Sequence, residues 1–296
     1  MIDSLVPEDL KPVPATSKVH QVMWSKSNSK TQTLNYEGIV AGSISTPKSH
    51  TYTVFIKIGS YNICSGAIVG DQFVITAGHC LYDENEGSLV SSRIKVVAGT
   101  TDAMDRDDVH RVEIDVAKIY VYKTFREDSM QISRLINSSV KDIAVLKLRE
   151  PLDIHCNEHV SKLRLPDDSD EPYLDKETLV VSGFGSDGFK NEEDEEDEEL
   201  KFDGRLRHVE ATIVGNQNCS SITIFQWLDN SQEHGDSGGP LVIRKDILIG
   251  IVSRGSSRCD NPTTVFTKIA SHKDFIEKVM NDQLDATIRC KVLMPS

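Results

Sequence analysis

Gly235-Asp236-Ser237-Gly238-Gly239-Pro240 sets a serine in a bend with glycine on both sides. A serine hydroxyl is a poor nucleophile until a neighbouring base takes its proton. The oxyanion that then forms on the attacked carbonyl needs donors already aimed at it. A glycine-rich bend suits the second need: its backbone can approach a substrate closely, and the amides of Gly235 and Ser237 are free to point inward. A nucleophilic serine in this bend therefore requires a base elsewhere in the chain, and an acid to orient that base.

Two segments supply them. Thr76-Ala77-Gly78-His79-Cys80 ends an apolar run on a histidine, and Asp142-Ile143-Ala144-Val145-Leu146 starts one on an aspartate. His79 is the candidate base. Asp142, at the edge of an apolar strand and so partly buried, would hold the His79 tautomer and stabilise the imidazolium. Singly, each has an ordinary reading: a structural histidine, a strand-start aspartate, a tight turn. Together, in the order His, Asp, Ser, they specify nucleophilic catalysis.

Around these motifs the chain reads as β-rich from Ile39 onward. Short apolar runs fall at Tyr52–Ile58, Gly66–Thr76, Ile94–Ala98, Val112–Tyr122, Ile143–Leu148 and Leu179–Ser182. More follow at Arg207–Val214, Leu241–Ile243, Ile247–Ser253 and Thr264–Thr267. Gly, Pro and Asp/Asn turns separate them, which predicts an all-β barrel or sandwich. Ser271 and Asp274 form a variant capping box, and Ile276, Val279 and Met280 recur at helical spacing, predicting an amphipathic helix over 271–283. Residues 284–296 read as a loosely held tail. Residues 1–38, rich in Pro, Ser, Lys and Thr, read as a separate solvated leader.

The motifs and their order resemble the trypsin/chymotrypsin family of serine proteases, over about Ile39 to Met280. The likeness extends to Cys64-Ser65-Gly66-Ala67, Gly183-Phe184-Gly185, Ser253-Arg254-Gly255 and Thr264-Val265-Phe266-Thr267. It implies an all-β fold of two antiparallel six-stranded β-barrels with a C-terminal helix and the site in the cleft between the barrels. The protease domain would be 39–283, dividing near Leu152–Pro166 into barrels of about 39–155 and 156–270. The resemblance assigns catalysis to His79, Asp142 and Ser237, and the oxyanion hole to the backbone of Gly235 and Ser237. The interval from His79 to Asp142 is longer than usual for the family, with the surplus around Asp102–Asp108 or Arg126–Ser139.

Ile39-Val40-Ala41-Gly42 resembles the family's new N-terminus after zymogen cleavage. A cut after Gly38 would free an α-amine to pair with Asp236, because a buried carboxylate needs such a partner. That pairing would bring the Gly235 amide into the oxyanion hole. Ala41 stands where the family usually has Gly, and Gly38 where it usually has Lys or Arg. The resemblance also implies a Cys64–Cys80 disulfide. For the other cysteines, Cys219 with Cys259 and Cys156 with Cys290 is one of about three connectivities that four cysteines allow. By register with Ser237, Ser231 would form the floor of the substrate pocket, with walls at Ser253, Gly255 and Thr264. This predicts a small or medium uncharged residue before the scissile bond, unless a two-residue shift brings Asp229 to the floor.

Composition narrows the remaining classes. The 296 residues are 38% apolar and carry a net charge of −13, which argues against a nucleic-acid partner, since phosphate binding needs clustered Lys and Arg. Eight acids sit in the run Glu192–Glu199, read as a solvated surface insertion; the rest carries a balance of about −5. No apolar stretch approaches the ~20 residues of a membrane span. Met1 to Pro14 lacks the apolar core of a signal peptide. The even cysteine count with one recognisable bridge nevertheless favours an oxidising compartment. The sequons Asn137-Ser138-Ser139 and Asn218-Cys219-Ser220 are compatible with an extracellular glycoprotein. Asp102, Asp105, Asp107 and Asp108 lie where some relatives bind calcium, but Thr100 replaces an acidic ligand there, and they read as solvated loop charges. No metal or cofactor is expected. The sequence thus reads as a secreted, monomeric serine endopeptidase, made as a zymogen and cleaved before Ile39, acting on protein or peptide substrates and open to protein inhibitors. The alternative is a non-proteolytic protease homologue that binds or regulates. An α/β-hydrolase fits less well, because there the nucleophile precedes the acid and the histidine.

Overall fold

The computed structural model describes residues 42–60, 62–83, 88–125, 141–170, 178–185, 202–211, 213–215, 221–225, 235–255, 263–285 and 287–293. The leader 1–38, Ile39, the sequon asparagines Asn137 and Asn218, the acidic run, Cys219, Cys259, Asp229 and Ser231 lie outside the described residues.

The apolar runs become antiparallel strands. Ile94–Ala98, Thr53–Ile58, Asn62–Gly70, Phe73–Thr76, Ala144–Leu148 and Val112–Tyr122 pair in that order. Val112–Tyr122 then returns to Ile94–Ala98, with Lys95 opposite Asp115, and closes a six-stranded barrel. Gly66–Thr76, read as one run, is two strands, because Asp71 and Gln72 make a turn.

The second sheet runs Ser43–Ile44, Arg207–Ala211, Leu179–Gly183, Pro240–Ile243, Ile247–Gly255, Thr263–Lys268, Ser221–Phe225 and Ile213–Gly215. Leaving aside the short Ser43–Ile44 pairing, the order starts on Arg207–Ala211 and ends on Ile213–Gly215, neighbouring segments of the chain, which brings the two sides of the sheet together as a second barrel. Ser221–Phe225 gave no clear signal in the sequence.

Strand periodicity explains why several runs are apolar throughout rather than alternating. Successive side chains point to opposite faces. In Ala144–Leu148, Ala144, Leu146 and Leu148 enter the first barrel's interior, while Val145 and the preceding Ile143 join a separate cluster. That cluster also holds Val242, Leu248 and Ile251 of the second sheet and Phe275, Ile276 and Val279 of the helix. It is the apolar seam between the two sheets. Burial on both faces leaves no solvent side for polar residues.

Two expectations about the C-terminus need correction. The helix is Lys273–Met280, shorter than 271–283, and Ser271 does not cap it. A 3-10 turn, Ile269–His272, takes up Ser271, so His272 occupies the cap position without a side-chain bond. The tail is not loose. Ile288–Val292 forms a strand along Val112–Tyr122, with Ile288 opposite Tyr122 and Val292 opposite Lys118. Ile94–Ala98 pairs only with the first half of that long strand, and the tail covers the exposed edge that remains. Leu293 is buried at its end.

The suggested Cys156–Cys290 bridge is absent. Both thiols are free and exposed. A disulfide needs Cα atoms about 6 Å apart, whereas Cys290 is committed to the strand opposite Tyr120 and Cys156 lies in the loop beyond Leu152. No helix among the described residues is long and apolar enough to cross a membrane.

Candidate active site

His79 opens a 3-10 turn, His79–Leu81, directly after strand Phe73–Thr76. The Cys64–Cys80 disulfide ties this turn to strand Asn62–Gly70. Asp142 precedes Ala144–Leu148, and the Ile143 N–H donates to the Lys141 carbonyl across it. Because Phe73–Thr76 and Ala144–Leu148 are paired, with Thr76 opposite Ala144, the two residues just beyond that pairing are brought side by side. Ser237 reaches them from the second barrel, in the bend before Pro240–Ile243.

The three side chains meet in one line. His79 Nδ1 donates to Asp142 Oδ2 at 2.9 Å, and Ser237 Oγ lies 2.9 Å from His79 Nε2. The backbone N–H of His79 donates to Asp142 Oδ1 at 2.9 Å. Asp142 is 3% exposed. Burial pushes its carboxyl up, but the His79 charge and the donors from His79 and Ser253 outweigh that and hold it below the ordinary carboxylate range. An ionised Asp142 fixes the proton on Nδ1 and leaves Nε2 free to accept from Ser237. Among the described residues, no group of three or more His, Cys, Asp or Glu could hold a metal ion.

Two hydroxyls of the second barrel brace Asp142. Ser253 Oγ donates to Asp142 Oδ2 at 2.6 Å, and Thr267 Oγ1 donates to the Asp142 carbonyl at 2.9 Å. The sequence marks Thr267 only as the end of a family-like strand motif, and Ser253 only as part of another and as a pocket wall. The available signal was a hydroxyl inside an apolar strand, which must find a partner once buried.

The Ser237 bend depends on its glycines. Gly238 has φ +81, and a Cβ there would stand 2.1 Å from Thr76 Oγ1. Asp236 is buried, and its Oδ1 accepts the Gly185 N–H at 2.8 Å. A Cβ on Gly185 would come within 2.2 Å of Asp236 Oδ2. The Gly183-Phe184-Gly185 stretch is therefore glycine where it faces this carboxylate. Thr264 is buried and pairs with Gly255 across the neighbouring strands.

A sequence model of the family described as Trypsin matches residues 39–276. The chain belongs to the trypsin family. Among its curated trypsin-family relatives, coagulation factor XII of Cavia porcellus is 27% identical, over 81% of this chain and 40% of that protein. CLIP domain-containing serine protease B15 of Anopheles gambiae is 28% identical over 73% of this chain and 61% of its own length. Granzyme B of Rattus norvegicus is 26% identical over 82% of this chain and 91% of its own. The chain thus spans less than two thirds of the first two relatives.

In the loop 99–108, three aspartates accept nearby backbone N–H groups. Asp102 Oδ1 accepts the N–H of Met104 and of Asp105, Asp105 Oδ1 that of Asp107, and Asp108 Oδ1 that of His110. A cavity of about 460 Å³ lies between this loop and residues 47–53, and none of the candidate catalytic side chains lines it.

Proposed function

We propose that the chain is a secreted serine endopeptidase in which Ser237 is the nucleophile, His79 the general base and acid, and Asp142 the group that orients His79. The observation that carries this reading is the continuous pair of 2.9 Å contacts from Asp142 through His79 to Ser237. His79 Nε2 takes the Ser237 proton as Oγ attacks the substrate carbonyl. The N–H groups of Gly235 and Ser237 receive the oxyanion. The same imidazole, held as a cation beside Asp142, then protonates the leaving amine, and a water repeats the sequence on the acyl-enzyme. Substrates are proteins or peptides, and protein inhibitors could occupy the same cleft.

Activation follows from Asp236. A cut ahead of Ile39 would free an α-amine that pairs with this buried carboxylate and orders the Gly235–Ser237 bend. Ser231, Ser253, Gly255 and Thr264 would shape the pocket for the residue before the scissile bond. Thr264, buried opposite Gly255, would narrow this pocket and favours a small or medium uncharged side chain.

The test is labelling with a serine-directed fluorophosphonate, before and after processing ahead of Ile39. Labelling should rise on processing and disappear in Ser237→Ala. A wild-type chain that never labels would remove the hydrolytic reading, leaving a trypsin-family protein that acts by binding.

A further inference from the structure

Ser65 lies in strand Asn62–Gly70, next to the disulfide-bonded Cys64, and is fully buried. A hydroxyl in that position has to satisfy both its donor and its acceptor within the protein. Ser65 Oγ donates to the Gly235 carbonyl at 2.6 Å and accepts the Phe184 N–H at 2.9 Å. The Ser65 backbone N–H donates to the Ser237 carbonyl at 2.9 Å, and its own carbonyl accepts from Thr76 Oγ1 at 2.8 Å. Each polar group of Ser65 is engaged. Two of its bonds end on the carbonyls of Gly235 and Ser237, the two residues whose N–H groups would receive the oxyanion.

Gly235 has φ +125, a region few residues other than glycine adopt. Such a backbone has little intrinsic resistance to rotation, so an outside contact must set its peptide planes. Holding the Gly235 carbonyl fixes the Gly235–Asp236 peptide plane, and leaves the Gly235 N–H, one plane upstream, only the dihedrals of Gly235 itself to turn through. The Ser65 N–H holds the Ser237–Gly238 plane through the Ser237 carbonyl, and the plane between, which carries the Ser237 N–H, is held where the Asp236 carbonyl accepts from the Gly239 N–H at 2.8 Å. Through Phe184 the same hydroxyl also ties in the segment whose Gly185 N–H donates to Asp236.

We propose that Ser65 is a positioning residue for the oxyanion hole: its hydroxyl holds the Gly235 carbonyl and so keeps the Gly235–Ser237 backbone turned with its N–H groups toward the substrate. This rests on the reading of Gly235 and Ser237 as oxyanion donors. Donors work best when they need no reorientation as charge develops. The oxyanion is present in the tetrahedral intermediate and the transition states flanking it but not in the bound substrate, so loosening its donors lowers kcat and leaves substrate binding alone.

The experiment compares the wild type with Ser65→Ala, and with Ser65→Gly should Ser65→Ala fail to fold by thermal unfolding. Each is assayed as the full chain and after processing ahead of Ile39. For a folded variant, kcat should fall about tenfold, less than the 10²–10³ of deleting an oxyanion donor outright, with KM moving by less than about twofold. Affinity for a peptide boronate, which forms a tetrahedral adduct on Ser237, should weaken by about the same factor as kcat, while a non-covalent peptide inhibitor binds as before. An unchanged kcat in a folded variant overturns the proposal, as does equal weakening of both inhibitors. Fluorophosphonate labelling of the wild type separates the two levels. Labelling with unaltered Ser65 kinetics removes this proposal alone; absence of labelling removes the triad reading and this proposal with it.

Discussion

The first barrel carries His79 and Asp142; the second carries Ser237. The first closes on itself through strand pairs and holds the Cys64–Cys80 disulfide. The second contributes the bend and the polar supports. Each half secures the other's groups: Ser253 and Thr267 of the second barrel bond to Asp142, and Ser65 of the first bonds to the carbonyls on either side of Asp236. Neither barrel alone holds a finished site. The lesson is that the geometry belongs to the seam, where apolar side chains of both sheets and of the helix pack into one cluster.

The harshest way to break this arrangement is at Asp142. With the proposed roles, Asp142→Asn keeps the shape but removes the acceptor that fixes the His79 tautomer, and kcat for a peptide substrate should fall by about 10⁴-fold. An unaltered rate would show that His79 does not depend on the first barrel's carboxylate.

The seam can next be probed by pH. Burial, and then the Lys141 charge, bring buried His272 down to about 4 from 6.5, against the pull of Asp142. The folded chain keeps this imidazole neutral while the unfolded chain takes up its proton. Stability is therefore full above pH 6.5, falls as pH drops toward 4, and loses no more through this group below that. The loss over the window is about 3 kcal/mol. His50, half-buried and also brought down to about 4 by burial and His208, adds to the same limb. Denaturant midpoints between pH 7 and 4 should fall less steeply in His272→Phe than in the wild type.

A smaller effect is expected where the Ser237 bend meets its neighbour. Gly185→Ala forces a methyl against the Asp236 carboxylate. Overpacking of this kind costs about 1–3 kcal/mol, readable as a lower thermal midpoint together with weaker fluorophosphonate labelling. The mildest test is Thr267→Val, nearly the same shape without the donor. The Asp142 carbonyl then loses a buried hydrogen bond, worth about 1–2 kcal/mol in denaturant unfolding. Thr267→Ser should recover most of it.

How legible each part was follows from how local its signal is. Val112–Tyr122 and Ile94–Ala98 have the bounds read from the sequence, because apolar runs ended by turn residues carry their own limits. The helix starts two residues after the capping pattern predicts, because a 3-10 turn and a capping box look alike in sequence. The tail strand is not legible in the sequence because its burial pattern is weak: only an open edge on Val112–Tyr122 makes it a strand. The Cys156–Cys290 pairing does not form for a similar reason. Counting cysteines says how many pairings exist, but distance decides which can form.

The sequence by itself determined the β-rich texture, the bend at Ser237, the order of His79, Asp142 and Ser237, and, through the family likeness, the Cys64–Cys80 bridge. These lie in short motifs or in local period. Only the tertiary structure decided that Ser253 and Thr267 serve Asp142, that Ser65 serves Gly235, and that the tail closes the first barrel's edge. Those contacts join residues more than a hundred positions apart. The hydroxyl contacts exist because two sheets dock through one apolar seam, and a hydroxyl held there bonds to whatever the docking sets before it, whereas the tail pairs within the first sheet, at the edge that Val112–Tyr122 leaves open.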